Sequence, residues 1–212
     1  YYGYKCLFRN NETFFKNVES VVPGQYLKIK NNLIIKKKYF EVKNILNKTT
    51  SIKKIKDSLF KAIKFRLRSD VPISHLLSGG IDSNALASIT NYKFKKKLNT
   101  FSILTNNKKF DEKKNINLSV RENKFNHKSV LLKKNKINFL EVLEKITSYY
   151  NSPVLTISSL LNFFLMEKIS KSKFKVVISG IGADEIFTGY HHHYLVDLNS
   201  SYKSKDYLEK LK

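Results

Sequence analysis

With 212 residues, 42% of them hydrophobic, the chain has room for one full domain of about 150 residues and part of a second, and is too apolar to be a disordered segment. Its formal charge of +23 invites a nucleic-acid reading, yet the lysines are dispersed in short runs (Lys36 to Lys38, Lys95 to Lys97, Lys133-Lys134) among asparagines and isoleucines, as on solvated faces. No apolar stretch approaches the roughly 20 residues of a membrane span, the opening residues YYGYKCLFRN do not read as a signal peptide, and a single cysteine, Cys6, excludes an internal disulfide and fits a reducing, cytoplasmic compartment.

The chain starts at Tyr1 without an initiator methionine, so a fragment of a longer protein is expected. Pro23-Gly24 marks a turn. QYLKIK (25–30), Asn31-Asn32 and LIIKKKYF (33–40) then have the form of a β-hairpin whose asparagine turn tolerates positive φ. Too few strands are present for an independent core. A polar, patternless stretch at 43–50 places the boundary between a segment 1–45 and a domain 46–212. Beyond the N-cap candidates Thr50 and Ser51, the apolar spacing becomes helical: Ile52, Ile55, Leu59, Ala62, Ile63 and Leu67 share one face, and Asp70 and Pro72 end the element.

After Pro72 the chain alternates. Strands are expected at ISHLL (73–77), 98–104, 127–132 and 174–179, with helices at 82–91, 111–122, 137–149 and 157–171. Such alternation predicts an α/β fold, a doubly wound parallel sheet with helices on both faces, whose ligands bind beyond the carboxyl ends of the strands.

Two of those strand ends carry glycine motifs. In LLSGGIDS (76–83), Gly79 and Gly80 permit a tight turn and close approach to a ligand, and the following helix N-terminus offers unpaired amides and partial positive charge suited to a phosphate. Ser78 and Ser83 add hydroxyl donors, and Asp82 adds a hard oxygen for magnesium. In SGIGADEIFTGY (179–190), Ser179 and Gly180 again leave a buried strand, followed by the acidic pair Asp184-Glu185. Asp184 can then reach the metal and pyrophosphate that Asp82 faces. The bland reading, two ordinary turns with acidic caps, is harder to hold when both loops leave one sheet.

Together these motifs resemble the synthetase domain of the glutamine-dependent asparagine synthetases, within the wider ATP-pyrophosphatase (PP-loop) group of the adenine nucleotide alpha-hydrolase-like fold. SGGIDS resembles the pyrophosphate loop of that group, and SGIGADEIFTGY the second motif of the asparagine synthetases in particular. VVPGQYLKIKNNLIIKKKYFE (21–41) resembles the last β segment of the family's N-terminal glutaminase domain; FSIL (101–104), FDE (110–112) and NHKSVLL (126–132) resemble its next strands and the segment between them.

The resemblance implies that Leu76 and Ile103 line the adenine pocket, that Ser78, Gly79, Gly80 and Ser83 hold the pyrophosphate, and that Ser179 and Gly180 contact the nucleotide. Asp82 and Asp184 would bind Mg2+, and Asp82, Asp184 and Glu185 are the catalytic candidates. It implies a ligase that adenylates a carboxylate, aspartate in the first instance, with ATP, and then forms an amide with glutamine-derived ammonia, releasing AMP and pyrophosphate. The expected partners are these small molecules, with no nucleic acid and no membrane; a homodimer is left open. The glutaminase cysteine would precede Tyr1, so Cys6 is not that nucleophile, and further active-site groups would follow Lys212.

Departures from the family pattern shift the expectations. Ile181 stands where the family commonly has an acidic residue, Asn151-Ser152-Pro153 where many members have an acidic pair before the proline, and Asn84 and Thr188 replace the usual Ser and Gly. Two alternatives therefore stand beside asparagine synthesis: a ligase of the same family acting on a sugar acid or peptide carboxylate, and a non-catalytic nucleotide-binding homologue. The tract His191-His192-His193 is a poor metal site, since consecutive side chains on a helix or strand point in different directions. His75 and His127 read as packed or edge histidines.

Overall fold

The computed structural model describes residues 11–41, 49–105, 111–131, 138–154 and 156–201. Cys6, Lys133-Lys134, Phe110, Leu132 and most of the expected 43–50 boundary lie outside the described residues. Two compact units are present: Tyr1–Ser58 with Lys136–Phe163, and Leu59–Asn135 with Phe164–Lys212.

In the first unit, β1 (Gln25–Lys30) and β2 (Leu33–Lys38) pair antiparallel, with Lys30 opposite Leu33. Asn31 and Asn32 both take positive φ, 50° and 59°, as the two-residue turn requires. Gly24 sits at φ 80°, and a Cβ there would lie 2.5 Å from the Phe40 carbonyl oxygen, so only glycine lets the chain close behind the hairpin. Helix α4 (Phe139–Tyr150) starts at Asn138, whose side chain accepts the Glu141 amide. Helix α1 (Ile52–Arg66) begins in this unit, where the Ser51 hydroxyl accepts the Lys54 amide as an N-cap, and ends in the second, where Ile63 is buried. Ile52, expected on the apolar face, is 85% exposed.

The second unit is built on four parallel strands: β3 (Ile73–Leu76), β4 (Asn99–Leu104), β5 (Asn126–Leu131) and β6 (Val176–Ile178). Helices α2 (Ile81–Phe94) and α3 (Lys113–Asn123) connect the first three. Helix α5 (Ile157–Lys171) precedes β6. Leu77, Ala87, Leu98, Ile116 and Phe125 bury one face of the sheet under α2 and α3; Phe101, Leu165 and Ile169 bury the other under α5. This is the doubly wound α/β architecture expected from the alternation.

The strand order is β5-β4-β3-β6. From β3 the chain winds outward through β4 to β5, then returns to the other side of β3 as β6, so the winding reverses between β3 and β6. That reversal is the topological switch point, where doubly wound sheets open a crevice at their carboxyl ends. Both glycine motifs leave from these two strands.

Some elements differ from the sequence expectation. Strand β6 is confined to Val176–Ile178, because Phe174 still donates its amide to Ile169 at the end of α5. Helices α6 (Ala183–Phe187) and α7 (His191–Ser201) were not expected; five residues are too few to show a period, and the histidine tract that opens α7 hides its helical spacing. His75 is buried in β3, and His127 lies on the edge strand β5 with its Nδ1 hydrogen-bonded to the Thr100 hydroxyl at 2.9 Å. The lysines at 36–38 and 95–97 are exposed.

Candidate active site

The first loop is laced by its own side chains. Beyond β3 the Leu77 amide donates to the Phe101 carbonyl at 2.8 Å and its carbonyl accepts the Ser102 hydroxyl, so the chain stays on the sheet up to the first serine. Ser83 Oγ accepts the Ser78 amide at 3.0 Å, Ser78 Oγ accepts the Gly80 amide at 3.1 Å, and the two hydroxyls lie 2.9 Å apart. Asn84 Nδ2 donates to the carbonyls of Ser78 (2.9 Å) and Gly80 (2.6 Å). Helix α2 therefore starts from an extended Gly80 with no side-chain cap, leaving its N-terminal amides to whatever lies in front of them. Asn84, which stands in place of the usual Ser, thus holds two loop carbonyls through its side-chain amide.

The second loop turns just as tightly. Ser179 Oγ accepts the Ile181 amide at 3.1 Å, and the Ala183 amide donates to the Gly180 carbonyl at 3.2 Å. Gly182 takes φ 98°, a region that L residues rarely adopt, and starts α6. Thr188, at φ 60°, ends that helix in the left-handed conformation, and the Gly189 amide returns to the Asp184 carbonyl.

The loops touch at Gly180. A Cβ on it would come within 3.1 Å of the Ser83 amide nitrogen and 3.4 Å of Asp82 Cβ, so the backbone of one loop seats directly on the first helical turn of the other. This contact brings Asp82 and Asp184 into hydrogen-bond reach. The Asp82 carboxyl is raised above the ordinary range, first by partial desolvation, then by the charge of Asp184 and by their shared hydrogen bond. Carboxylate oxygens are the donors a hard divalent cation takes, and such an ion needs only one or two protein carboxylates beside phosphate oxygens and water. Among the described residues no group of three or more His, Cys, Asp or Glu side chains could hold a metal.

Glu185 does not join this pair. It accepts the Tyr190 hydroxyl at 2.7 Å, and that bond is the first cause holding its carboxyl below the usual range. Leu76 and Ile103 lie on one sheet face, because Leu76 is in register with Phe101 and Ile103 is two residues further along β4. Leu76 packs against the core around Phe101, and Ile103 is half-buried.

Sequence reasoning passed over Gly189, where a Cβ would fall 1.7 Å from Asp184 Oδ1, so the carboxylate rests against bare backbone. It also passed over Glu112 as a site residue. Its carboxylate accepts the Gly79 amide at 3.0 Å from 33 residues away, and only the tertiary fold could show that contact.

Residues 54–209 match the family model described as asparagine synthase. The chain belongs to the asparagine synthase family. Members of this family use ATP. A relative in Methanocaldococcus jannaschii, named "Putative asparagine synthetase (glutamine-hydrolyzing) 2", is 34% identical over 164 residues, covering 75% of this chain and 31% of that protein. Asparagine synthetase (glutamine-hydrolyzing) 1 of Bacillus subtilis is 27% identical over 183 residues, 84% of this chain and 28% of the relative. Amidase chry2 of Gibberella zeae is 29% identical over 201 residues, 85% and 30% respectively. The chain thus spans about a third of the length of the curated relatives it matches. Among the described residues no helix is long and apolar enough to cross a membrane.

Proposed function

We propose that this chain carries the nucleotide half of an AMP-forming carbon–nitrogen ligase of asparagine synthetase type, with glutamine as nitrogen donor. The reading rests on one observation: two Ser-Gly loops leave neighbouring strands at the switch point and meet at Gly180, setting Asp82 beside Asp184.

In this reading an acceptor carboxylate oxygen attacks the α-phosphorus of ATP, the bond to the β-phosphate breaks, and pyrophosphate leaves. Ammonia then attacks the acyl carbon, AMP departs, and a proton is lost to give the amide. The amides at the start of α2 and the hydroxyls of Ser78 and Ser83 face charge that grows on the departing pyrophosphate, and preorganised donors of this kind supply most of such catalysis. Ser179 and Gly180 hold the second side of the nucleotide, with Leu76 and Ile103 toward the base. Asp82 and Asp184 would hold Mg2+, which supplies charge neutralisation for the phosphates when bound. Glu185, tied to Tyr190, acts on the position of α6 rather than on the phosphates. The residues 1–45 fit the end of a glutaminase domain, and the β1–β2 hairpin is consistent with that assignment.

The test is the nucleotide product. With glutamine and a panel of carboxylates, the intact protein should release AMP and pyrophosphate; ADP and phosphate would contradict the reading.

One observation favours a second acceptor class. Ile181 is 82% exposed on the second loop, an apolar group where the family commonly has an acidic one. A carboxylate larger and less charged than aspartate suits it better, and ATP/pyrophosphate exchange across the panel separates the two.

A further inference from the structure

The amides of residues 78, 79 and 80 are each taken by a side-chain oxygen, and two of the three acceptors, Ser83 and Ser78, are local. The third is Glu112, at the start of α3. Two adjacent glycines have wide backbone freedom, so the loop needs an outside anchor to keep one shape. Glu112 supplies it from a different crossover, through a hydrogen bond to a charged acceptor, which is roughly twice as strong as a neutral one. The packing is close as well: a Cβ on Gly79 would lie 2.9 Å from Glu112 Cβ and 3.3 Å from Asn115 Cβ. Glycine at position 79 is thus explained by α3, independently of any ligand.

We propose that Glu112 is a positioning residue of the nucleotide loop: its carboxylate fixes the Gly79 peptide and so aims the amides beyond it at the phosphates. The inference rests on the reading of this loop as the pyrophosphate site. A carboxylate there also repels an anionic ligand, and the variants below separate the two effects.

Binding of ATP and of inorganic pyrophosphate to the intact protein is measured by calorimetry for the parent, Glu112→Ala, Glu112→Gln and Asp111→Ala. Glu112→Ala, which leaves the Gly79 donor without its acceptor, should weaken both ligands by about tenfold. Glu112→Gln keeps an acceptor oxygen without the charge and should recover most of that loss. Asp111→Ala removes the carboxylate that accepts the Lys113 amide at 2.9 Å, loosening the start of α3 without touching Gly79, and should leave binding unchanged. Tighter binding by both Glu112 variants would make Glu112 a competitor of the phosphates and overturn the proposal. So would unchanged binding by Glu112→Ala, or a loss in Asp111→Ala equal to that in Glu112→Ala. A parent protein that binds neither ligand would instead overturn the functional reading on which the proposal rests.

Discussion

Replacing Gly180 by alanine tests the contact on which the site is built. The added Cβ would lie 3.1 Å from the Ser83 amide nitrogen and 3.4 Å from Asp82 Cβ, where ordinary contacts run from 3.4 to 4 Å. The overlap is a few tenths of an ångström, but the obstructing atom is backbone in the first turn of α2 and cannot rotate away. Either the loops part or the helix start shifts, and overpacking of this kind costs about 1–3 kcal/mol. If that cost falls on the nucleotide-bound geometry, affinity for ATP drops by about tenfold to a hundredfold. Gly182→Ala is the control: at φ 98° with no atom within 4 Å of the added Cβ, it strains the backbone without touching α2. It should lower the melting temperature, at a cost of about 1 kcal/mol, and leave affinity near the parental value. The assays are calorimetric titration with ATP and thermal melting of the intact protein. Parental affinity in Gly180→Ala, or a larger loss in Gly182→Ala, would refute the reasoning.

Further outcomes follow from the same geometry. Asp82→Asn and Asp184→Asn should each slow pyrophosphate release by about a hundredfold or more, since each removes a group aimed at the reacting phosphates; Asp184→Asn should also lower the Asp82 titration, read by carboxyl NMR, because the neighbouring charge is one cause of its rise. Gly189→Ala places a Cβ 1.7 Å from Asp184 Oδ1 and must displace that carboxylate, so activity should fall while the melting temperature changes little. His75 is fully buried and burial holds its pKa at about 4, against 6.5 for the free side chain. The unfolded chain therefore binds the extra proton first, and stability present above pH 6.5 is lost as pH falls toward 4, by about 3 kcal/mol in total. Urea unfolding between pH 8 and pH 5 should show that decline, and His75→Leu should remove most of it; identical profiles would refute the assignment. His127, also lowered by burial, adds in the same direction.

How far the sequence could be read depended on the range of each signal. The asparagine turn, the Ser51 cap and the strand–helix alternation are local, and the elements from 25 to 178 stand close to where periodicity and turn residues place them. The two Ser-Gly loops were legible for the same reason, since a glycine pair at a strand exit limits what the chain can do there. Strand order was not legible. Nothing in FKVVIS says that β6 returns to the far side of β3, yet that return is what brings SGIGADEIFTGY against LLSGGIDS. Glu112 and Gly189 were missed because their meaning lies in contacts: one carboxylate reaches an amide 33 residues away, and one glycine leaves room for a neighbour's oxygen. Glu185 looked equivalent to Asp184 by adjacency, but successive helical residues face different directions, and it turns to Tyr190 instead.

The most direct test of the central claim follows one oxygen atom. An acceptor carboxylate labelled with heavy oxygen is turned over by the intact protein with ATP and glutamine, and AMP is collected for mass spectrometry. If the carboxylate attacks the α-phosphorus at the paired loops, one labelled oxygen appears in AMP. Label in inorganic phosphate, with ADP as the nucleotide product, would contradict the account.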